Sequence, residues 1–494
     1  MKTLAERVFD SSVLLLLTRL VQRGIGVVSM LILARILEPA DFGMIAIVLV
    51  VIQFFEIVSA VGTEQYIIQK SKVGVDDLNT AWTIRLLTNV ALWLVLFASA
   101  PLIADYFDKP DLVFALRICS LVLVMNSLCN PGVMLLKKNL TYGKILKLSV
   151  VQKLAGFSAV MLVVFQHPSY WALITGALVS SASFAIGSYV IHPHRPSPCL
   201  SRFREQFGFS QWMLYRSFFG FTHSQIDTIL ITKSFSLTDA GAFHLVKTLT
   251  AMPANDIVVP AVTPLLSAFS QVKSNLLDLA LKFRVGLVFV VSLVVPVCVF
   301  MAVFSEVIVD VFLGEKWTRA YTIFPVMAPL LFVLSVSRVY ESVCLALGRV
   351  RDLFIYNVIT TVILVSVLIL LRDASLETFV LNRTLIHLVI VLIFPLYISR
   401  FLKVDTLRIV LLCIPALSSA IAAGLLASWI EAYLPSLAPV RLIGISVAFF
   451  TTYAVTITTT YCLFFGDAAE FGSVRALFVK LLARNRHQLR VDQG

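Results

Sequence analysis

The chain has 494 residues, of which 59% are hydrophobic and only 14% are charged, and its mean hydropathy is +0.93. A soluble protein carries about 25% charged residues, so this composition excludes an ordinary soluble protein and indicates a helical membrane protein with many spans. The formal net charge of +12 does not require a nucleic-acid partner, because basic residues of membrane proteins gather in cytoplasmic loops.

Apolar segments of about 20 residues, the length that crosses a bilayer, recur along the chain. After a short amphipathic segment at residues 1–12, they predict about fourteen membrane-spanning helices, at residues 13–36, 41–62, 80–104, 112–134, 146–166, 170–191, 210–232, 240–268, 283–304, 321–346, 353–371, 377–399, 407–429 and 441–465. Basic loops alternate with mainly acidic loops between these segments. This alternation predicts that both termini lie in the cytoplasm.

An internal repeat predicts two halves. The segment LARILEPADFGMIAIV, which begins at Leu33, aligns with ITKSFSLTDAGAFHLV, which begins at Ile231, and each copy has an Asp-x-Gly turn before its second helix. A chance match within apolar sequence is the alternative. Parallel repeats of this kind hold substrate between the lobes. The predicted domains are a six-helix lobe at 1–191, a cytoplasmic linker at 192–209, a six-helix lobe at 210–400, two accessory helices at 401–465 and a basic cytoplasmic tail at 466–494.

Two arginines in the first span are the leading site candidates. Charged side chains are costly in hydrocarbon, so by default they face a cavity or a partner. Arg19 and Arg23 are four residues apart and share one helix face, which Gly26 continues. Arginine suits phosphate because its planar guanidinium donates two parallel hydrogen bonds. The alternative is a structural ion pair with an acid such as Glu56 in the second span.

Other cations inside predicted spans divide into two groups. Lys247 and Arg338 lie about two turns or more from a predicted helix end, and we assign them to the same anion-binding cavity. Four cations nearer to helix ends are expected to extend toward the membrane surface: Arg85, Lys153, Arg216 and Arg383.

The second half carries candidates for coupling. His223 and Asp227 are four residues apart and could form a proton or cation site, because histidine titrates near neutral pH; a structural hydrogen-bonded pair is the alternative. Arg338 and Glu341 are three residues apart and most simply form an ion pair within one helix. Three prolines interrupt the predicted helix at 240–268, which indicates a hinge or a static kink.

The sequence offers no catalytic or metal-binding pattern. It lacks Gly-x-Ser-x-Gly, HExxH and a phosphate loop. The seven cysteines form no CxxC pair, so neither a metal site nor a disulfide framework is supported. A membrane enzyme of glycan assembly is expected to have a large external loop with paired acids, and none is present. The chain is therefore predicted to be no enzyme and to use no cofactor.

The repeat segment from Leu33, the segment VGTEQYIIQK from Val61 and FLGEKW from Phe312 resemble the polysaccharide transporter family of the multidrug/oligosaccharidyl-lipid/polysaccharide (MOP) superfamily. The resemblance is to Wzx-type flippases and their WzxC-like branch in lipopolysaccharide and exopolysaccharide synthesis, and it is densest over residues 11–150. It implies an all-α, MATE/MOP-like fold of two six-helix lobes plus two C-terminal helices, in the bacterial inner membrane.

The resemblance further implies a function. The expected substrate is an undecaprenyl-diphosphate-linked oligosaccharide, such as an O-antigen or exopolysaccharide repeat unit, which crosses the bilayer by alternating access. Polysaccharide polymerase and export proteins are the expected partners. Within the same fold, the alternatives are a lipid II flippase and a multidrug or cation exporter. An exporter of organic cations would favour acidic residues in its cavity, and the first span has none.

Overall fold

The computed structural model describes residues 4–59, 62–371, 373–402, 405–435 and 437–465. Within these ranges every regular element is a helix, with a π-helical turn at Ala254–Val258. The helices are α1 (Leu4–Ile36), α2 (Pro39–Ser59), α3 (Thr63–Gln69), α4 (Val75–Phe107), α5 (Leu112–Cys119), α6 (Leu121–Ser127), α7 (Gly132–Lys138), α8 (Tyr142–Gln166), α9 (Trp171–Ile191), α10 (Phe203–Ser234), α11 (Leu237–Pro253), α12 (Val259–Val272), α13 (Leu276–Val303), α14 (Ser305–Phe312), α15 (Thr318–Met327), α16 (Leu330–Ala346), α17 (Val350–Leu370), α18 (Leu376–Leu402), α19 (Thr406–Glu431) and α20 (Ala438–Phe465).

The helices confirm a multi-pass membrane protein. Within the described ranges, 11 helices are long and apolar enough to cross a membrane, or 12 if the bent pair Leu112–Ser127 and Gly132–Lys138 forms one span. When the bent pair is taken as one span, two predicted spans have no counterpart among these twelve, namely 13–36 and 210–232. They fall on α1 and α10, which have 33 and 32 residues. The count of fourteen therefore stays a prediction.

The helix predicted at 240–268 is interrupted between Pro253 and Pro260, whereas Pro264 lies within the regular helix α12. Regular α-helical geometry stops at Pro253 and resumes at Val259, and the π-helical turn lies between them. Proline removes a backbone donor and disrupts the ladder of hydrogen bonds, and a π-turn accommodates such an irregularity.

The chain divides into two compact units, Met1–His244 and Leu245–Gly494. In the first unit, α2, α4, α5 and α9 surround a core that includes Ile47, Leu96 and Leu116. In the second unit, α13 packs against α16 and α19. Helix α10 belongs to the first unit and packs against α2. The predicted lobe boundaries at 1–191, 210–400 and 401–465 stay a prediction.

The two copies of the predicted repeat meet through their glycines. A Cβ atom placed on Gly43 would lie 2.0 Å from the carbonyl oxygen of Leu237, and one on Gly241 would lie 1.8 Å from the carbonyl oxygen of Pro39. Only glycine permits the backbones to approach this closely. The start of α2 and the start of α11 therefore pack backbone to backbone.

Related hydrogen bonds begin the two repeated helices. The backbone N–H of Glu38 donates to the Asp41 carboxylate (3.1 Å). In the second copy, the backbone N–H of Asp239 donates to the Ser236 hydroxyl (3.1 Å), and that hydroxyl donates to the Asp239 carboxylate (2.7 Å). Each copy uses part of the capping-box arrangement, which satisfies donors that the first helical turn leaves open.

The predicted linker is an ordered strap. Residues 192–202, called the linker strap below, precede α10 and are hydrogen-bonded to the first third of α4. The backbone N–H of Cys199 donates to the Thr83 hydroxyl (2.9 Å), and a His194 ring nitrogen lies 3.0 Å from the Asn79 side-chain oxygen. Both α4 partners are buried, so the strap covers polar groups that would otherwise be exposed.

Candidate functional site

Two cations lie on the packed helices α1 and α8 of the first unit, Arg23 on α1 and the exposed Lys153 on α8. The two helices pack against each other, and the Lys153 Nζ lies 3.8 Å from the position that a Cβ atom on Gly26 would occupy. The absent side chain at Gly26 leaves room for the ammonium beside the α1 backbone. Arg23, three residues earlier on α1, interacts electrostatically with Lys153. We call Arg23 and Lys153 the basic pair.

The basic pair lacks a matching acid at Lys153. Within the described part of the chain, this lysine forms no ion pair. Like charges repel each other when they approach. An anion placed against Lys153 would offset that repulsion. Arg19 lies one turn before Arg23 on α1, and its side chain lies outside the described residues.

A second polar site is a half-open cavity of about 360 Å³ in the first unit. It is formed between α2, α3, α4, α6, α7 and α9. Its lining combines charged, amide and hydroxyl side chains with a few apolar ones: Glu56, Ser59, Gly62, Thr63, Glu64, Gln65, Arg85, Asn89, Asn126, Cys129, Asn130, Val133, Met134, Lys137 and Phe184. We call it the Glu56–Arg85 cavity.

A chain of hydrogen bonds fixes the two central charges of this cavity. The Asn126 amide donates to one Glu56 carboxylate oxygen (3.2 Å), and the Arg85 guanidinium donates to the Asn126 carbonyl oxygen (2.9 Å). The Asn89 amide donates to the Arg85 carbonyl oxygen (2.9 Å). Among the described residues, nothing bonds the second Glu56 oxygen or the other guanidinium N–H groups of Arg85. These groups remain available to a ligand.

The more exposed end of the cavity is also charge-balanced. The Lys137 ammonium lies 2.7 Å from the Glu64 carboxylate, and these side chains are 33% and 38% exposed. Asn130, which lines the cavity, also donates through its amide to the carbonyl oxygens of His192 (3.1 Å) and His194 (2.7 Å). One residue thus contacts both the cavity and the linker strap.

Sequence reasoning expected two of these cations, Arg85 and Lys153, to extend toward the membrane surface, and that expectation stays a prediction. The half-buried Arg85 lines the Glu56–Arg85 cavity, and the exposed Lys153 lies against Gly26. The available signal was the asparagines at helical spacing in apolar segments. Asn89 follows Arg85 by four residues, and Asn126 and Asn130 are also four residues apart. Polar side chains that recur on one helix face indicate an interior polar surface.

Glu56 was expected either to pair with the first-span arginines or to take part in coupling. The described hydrogen bond to its side chain comes from Asn126, and its carboxylate shares the cavity with Arg85. In α10, the buried Asp227 carboxylate accepts hydrogen bonds from the backbone N–H (2.7 Å) and hydroxyl (3.3 Å) of Thr228. His223 is half-buried one turn earlier.

The remaining candidates belong to the second unit. Arg338 donates to Glu341 at 3.3 Å, which confirms the predicted ion pair within one helix, and the Arg338 side chain is 54% exposed. Lys247 is half-buried in α11. The assignment of these residues to an anion cavity stays a prediction.

An ion cluster outside the predicted spans joins the start of α10 to α3 and α4. Lys70 forms an ion pair with Asp77 (2.7 Å), and the Tyr66 hydroxyl donates to Glu205 (2.8 Å). Arg202 donates to the same glutamate (3.0 Å). The hydrogen bond to Asp77 raises the pKa of Lys70, and the bonds from Tyr66 and Arg202 lower the pKa of Glu205. Both groups are therefore held in their charged forms.

Comparison with known proteins relates the chain to polysaccharide biosynthesis proteins. Residues 32–322 match the profile of a family described as polysaccharide biosynthesis protein. The lipopolysaccharide biosynthesis protein WzxC of Escherichia coli (strain K12) is 24% identical over 354 residues, covering 70% of this chain and 71% of WzxC. The succinoglycan biosynthesis transport protein ExoT of Rhizobium meliloti (strain 1021) is 23% identical over 308 residues, which is 62% of each protein.

Two solved structures share the fold. The lipid II flippase MurJ in an inward closed conformation has a TM-score of 0.70 at 14% identity, covering 92% of this chain and 99% of MurJ. An inward-facing multidrug resistance MATE transporter of the MOP superfamily has a TM-score of 0.60 at 12% identity, covering 79% and 95%. These likenesses confirm the predicted MATE/MOP-like fold. The names of these proteins describe biosynthesis, transport or flipping and none describes a catalyst, in agreement with the prediction that the chain is no enzyme.

Proposed function

We propose, since the chain belongs to the polysaccharide biosynthesis protein family, that it is a flippase for a lipid-linked oligosaccharide. The substrate is an undecaprenyl-diphosphate-linked repeat unit of O-antigen or exopolysaccharide. It moves from the cytoplasmic to the periplasmic leaflet of the bacterial inner membrane by alternating access, and both termini of the chain are cytoplasmic. The names of WzxC and ExoT, which connect those relatives to lipopolysaccharide and to succinoglycan transport, support this substrate class.

The basic pair is the observation that carries the proposal. A diphosphate brings negative charge to the membrane-spanning region, where it needs cationic partners. The guanidinium of Arg23 binds phosphate oxygens through two parallel hydrogen bonds, and the Lys153 ammonium acts as a compact point charge. Arg19, four residues before Arg23 in the sequence, is a further proposed anion-binding residue. We also assign anion binding to Lys247 and Arg338 of the second unit, and a weaker role to Arg338 because Glu341 already offsets its charge.

Coupling to an ion gradient is assigned to α10. His223 and Asp227 are the groups that would change protonation, and Glu56 is a further acid in the same unit. We assign Glu341 only a pairing role, because it lies beside Arg338. Polysaccharide polymerase and export proteins are the proposed partners that receive the translocated unit.

The alternatives have different electrostatic requirements. An exporter of organic cations needs a cavity with net negative charge. Lys153 has no carboxylate partner within the described part of the chain, and Glu56 shares its cavity with Arg85. A lipid II flippase would use the basic pair equally well, because its substrate is also a diphosphate. The nature of the glycan is what separates that alternative from the proposed function.

Deletion of the gene tests the proposal. We expect surface polysaccharide to be lost and lipid-linked repeat units to accumulate on the cytoplasmic side. Complementation with Lys153→Ala is expected to restore at least tenfold less polysaccharide than wild type at equal membrane abundance. Lys147→Ala, an exposed lysine on the same helix, is the matched control and should complement fully. Normal polysaccharide with new drug sensitivity in the deletion strain would contradict the proposal.

A conservative change at Arg23 tests the form of the anion contact. If the guanidinium binds phosphate through two hydrogen bonds, Arg23→Lys should retain only part of the export activity, because lysine keeps the charge and loses the planar fork. Full activity of Arg23→Lys would show that charge alone is sufficient.

A further inference from the structure

The Glu56–Arg85 cavity differs from the basic pair in its charge. One carboxylate and one guanidinium share its centre, and the Lys137–Glu64 ion pair lies at its more exposed end. Each positive charge is therefore matched by a negative charge. A cavity with this balance has no net attraction for a diphosphate or for a simple cation. It favours an uncharged ligand that can both donate and accept hydrogen bonds.

The size of the cavity limits that ligand. Its volume of about 360 Å³ lies at the lower end of small-molecule sites, which range over roughly 300–1,000 Å³. This space accommodates about one sugar ring and excludes a complete oligosaccharide repeat unit.

The available polar atoms match neighbouring hydroxyl groups. The second oxygen of Glu56 accepts hydrogen bonds, and the remaining N–H groups of Arg85 donate them. A hydroxyl group both donates and accepts, so two adjacent hydroxyls on a ring can satisfy both residues at once. Hydrogen bonds to ionised groups are stronger than those between neutral groups. Phe184 and Val133 supply apolar contacts for the C–H face of a ring.

The site is held in place before a ligand arrives. The Arg85 guanidinium donates to the backbone carbonyl of Asn126, and the Asn126 side chain donates to Glu56, so these bonds join α4, α6 and α2. Fixed binding groups lose little conformational entropy when a ligand binds.

We infer that the Glu56–Arg85 cavity is a saccharide subsite that takes one uncharged sugar ring and thereby selects which repeat units are accepted. This inference rests on the proposed function for its physiological ligand. The basic pair then binds the diphosphate that all such substrates share, and this cavity binds one sugar of the glycan and distinguishes between glycans.

Binding to the purified full-length protein tests the inference directly. The probes are a panel of neutral monosaccharides, among them glucose, galactose, rhamnose and N-acetylglucosamine, with inorganic pyrophosphate as the anionic probe. At least one sugar should stabilise the wild-type protein against heating at millimolar concentration. Glu56→Gln keeps the shape of the side chain and removes its charge. This substitution should lower the affinity for that sugar by at least tenfold. In this equilibrium binding measurement, without an ion gradient, pyrophosphate should bind Glu56→Gln and wild type equally and should bind Lys153→Ala more weakly.

Two results would overturn the inference. One is the absence of stabilisation by every sugar in the panel at 100-fold higher concentration, about 0.1 M. The other is equal sugar affinity in wild type, Glu56→Gln and Arg85→Met. Asn139→Ala, an exposed asparagine outside the cavity, is the control and should bind as wild type does.

Export in cells separates this inference from the proposed function. In strains that synthesise native or foreign neutral repeat units, Glu56→Gln should reduce the preference for the native unit by at least fivefold while exporting some of both. If the deletion strain exports normally, the proposed function fails, and sugar binding by purified protein remains an independent result. If deletion abolishes export but Glu56→Gln leaves the preference unchanged, the subsite is wrong and the flippase proposal stands.

Discussion

Replacing either repeat glycine with alanine should break the contact between the two repeat copies. A Cβ on Gly241 would lie 1.8 Å from the Pro39 carbonyl oxygen, and one on Gly43 would lie 2.0 Å from the Leu237 carbonyl oxygen. Real Cβ contacts essentially never fall below 3.0 Å, so the backbones must separate by at least about 1 Å. The contacted atoms belong to the backbone and cannot rotate away.

The expected penalty is large enough to measure. Overpacking a well-packed contact costs about 1–3 kcal/mol, and we expect the upper end because two helix starts must move together. About 3 kcal/mol corresponds to a factor of roughly 150 between the packed and separated arrangements. The direction of the stability change is informative, because alanine in a helix is otherwise favoured over glycine by about 1 kcal/mol.

Thermal unfolding of the purified variants provides the assay. Gly43→Ala and Gly241→Ala should each lower the melting temperature by several degrees. Gly24→Ala and Gly143→Ala are matched controls, because among the described residues no heavy atom outside the local helix lies within 4 Å of a Cβ at either position, and they should be neutral or stabilising. If Gly241→Ala has the same melting temperature as the wild type, the backbone-to-backbone contact is incorrect.

Three further predictions concern the linker strap and a helix cap. Thr80→Cys should form a disulfide with Cys199 under mild oxidation, detected as loss of free thiols, because the Thr80 hydroxyl lies 3.8 Å from the Cys199 sulfur; Ser71→Cys should not. Desolvation lowers the pKa of His194 below 6.5, so its neutral form stabilises the strap fully above pH 6.5, and this stability falls as pH decreases from 6.5 toward the folded-state pKa. Hydrogen exchange of the strap should therefore be faster at pH 5 than at pH 7.5, beyond the intrinsic pH effect, and equal protection at both pH values would contradict this. Asn275→Ala removes the N-cap of α13 and should lower the free energy of unfolding by about 1 kcal/mol. An unchanged free energy of unfolding would show that Asn275 does not stabilise the helix.

Local sequence features predicted the membrane class and most of the helices, because span length and apolar composition are properties of consecutive residues. The repeat stays a prediction, and it rests on the Asp-x-Gly turns that recur in the sequence. What the pattern could not give is that Gly43 and Gly241, almost 200 residues apart, contact each other's turns. Such a contact depends on the packing of distant segments.

The candidate site could be predicted only in part, because its contacts also depend on the packing of distant segments. The first-span cations were found because charge within an apolar run is unusual. The sequence did not predict the contact of the exposed Lys153 with Gly26 or the place of Arg85 in the cavity lining, because the neighbouring residues are on other helices. The order of the linker strap likewise depends on buried side chains of α4. Side-chain environment, rather than helix position, decides these roles.

Reconstitution of the purified protein into liposomes that contain an undecaprenyl-diphosphate-linked oligosaccharide tests the central claim most directly. The measured quantity is the rate at which the glycan becomes accessible to a modifying enzyme on the opposite side of the bilayer. We predict rapid exposure with the wild-type protein and at least tenfold slower exposure with Lys153→Ala, while Lys147→Ala behaves as wild type. A wild-type rate equal to that of protein-free liposomes, under every imposed ion gradient, would contradict the account.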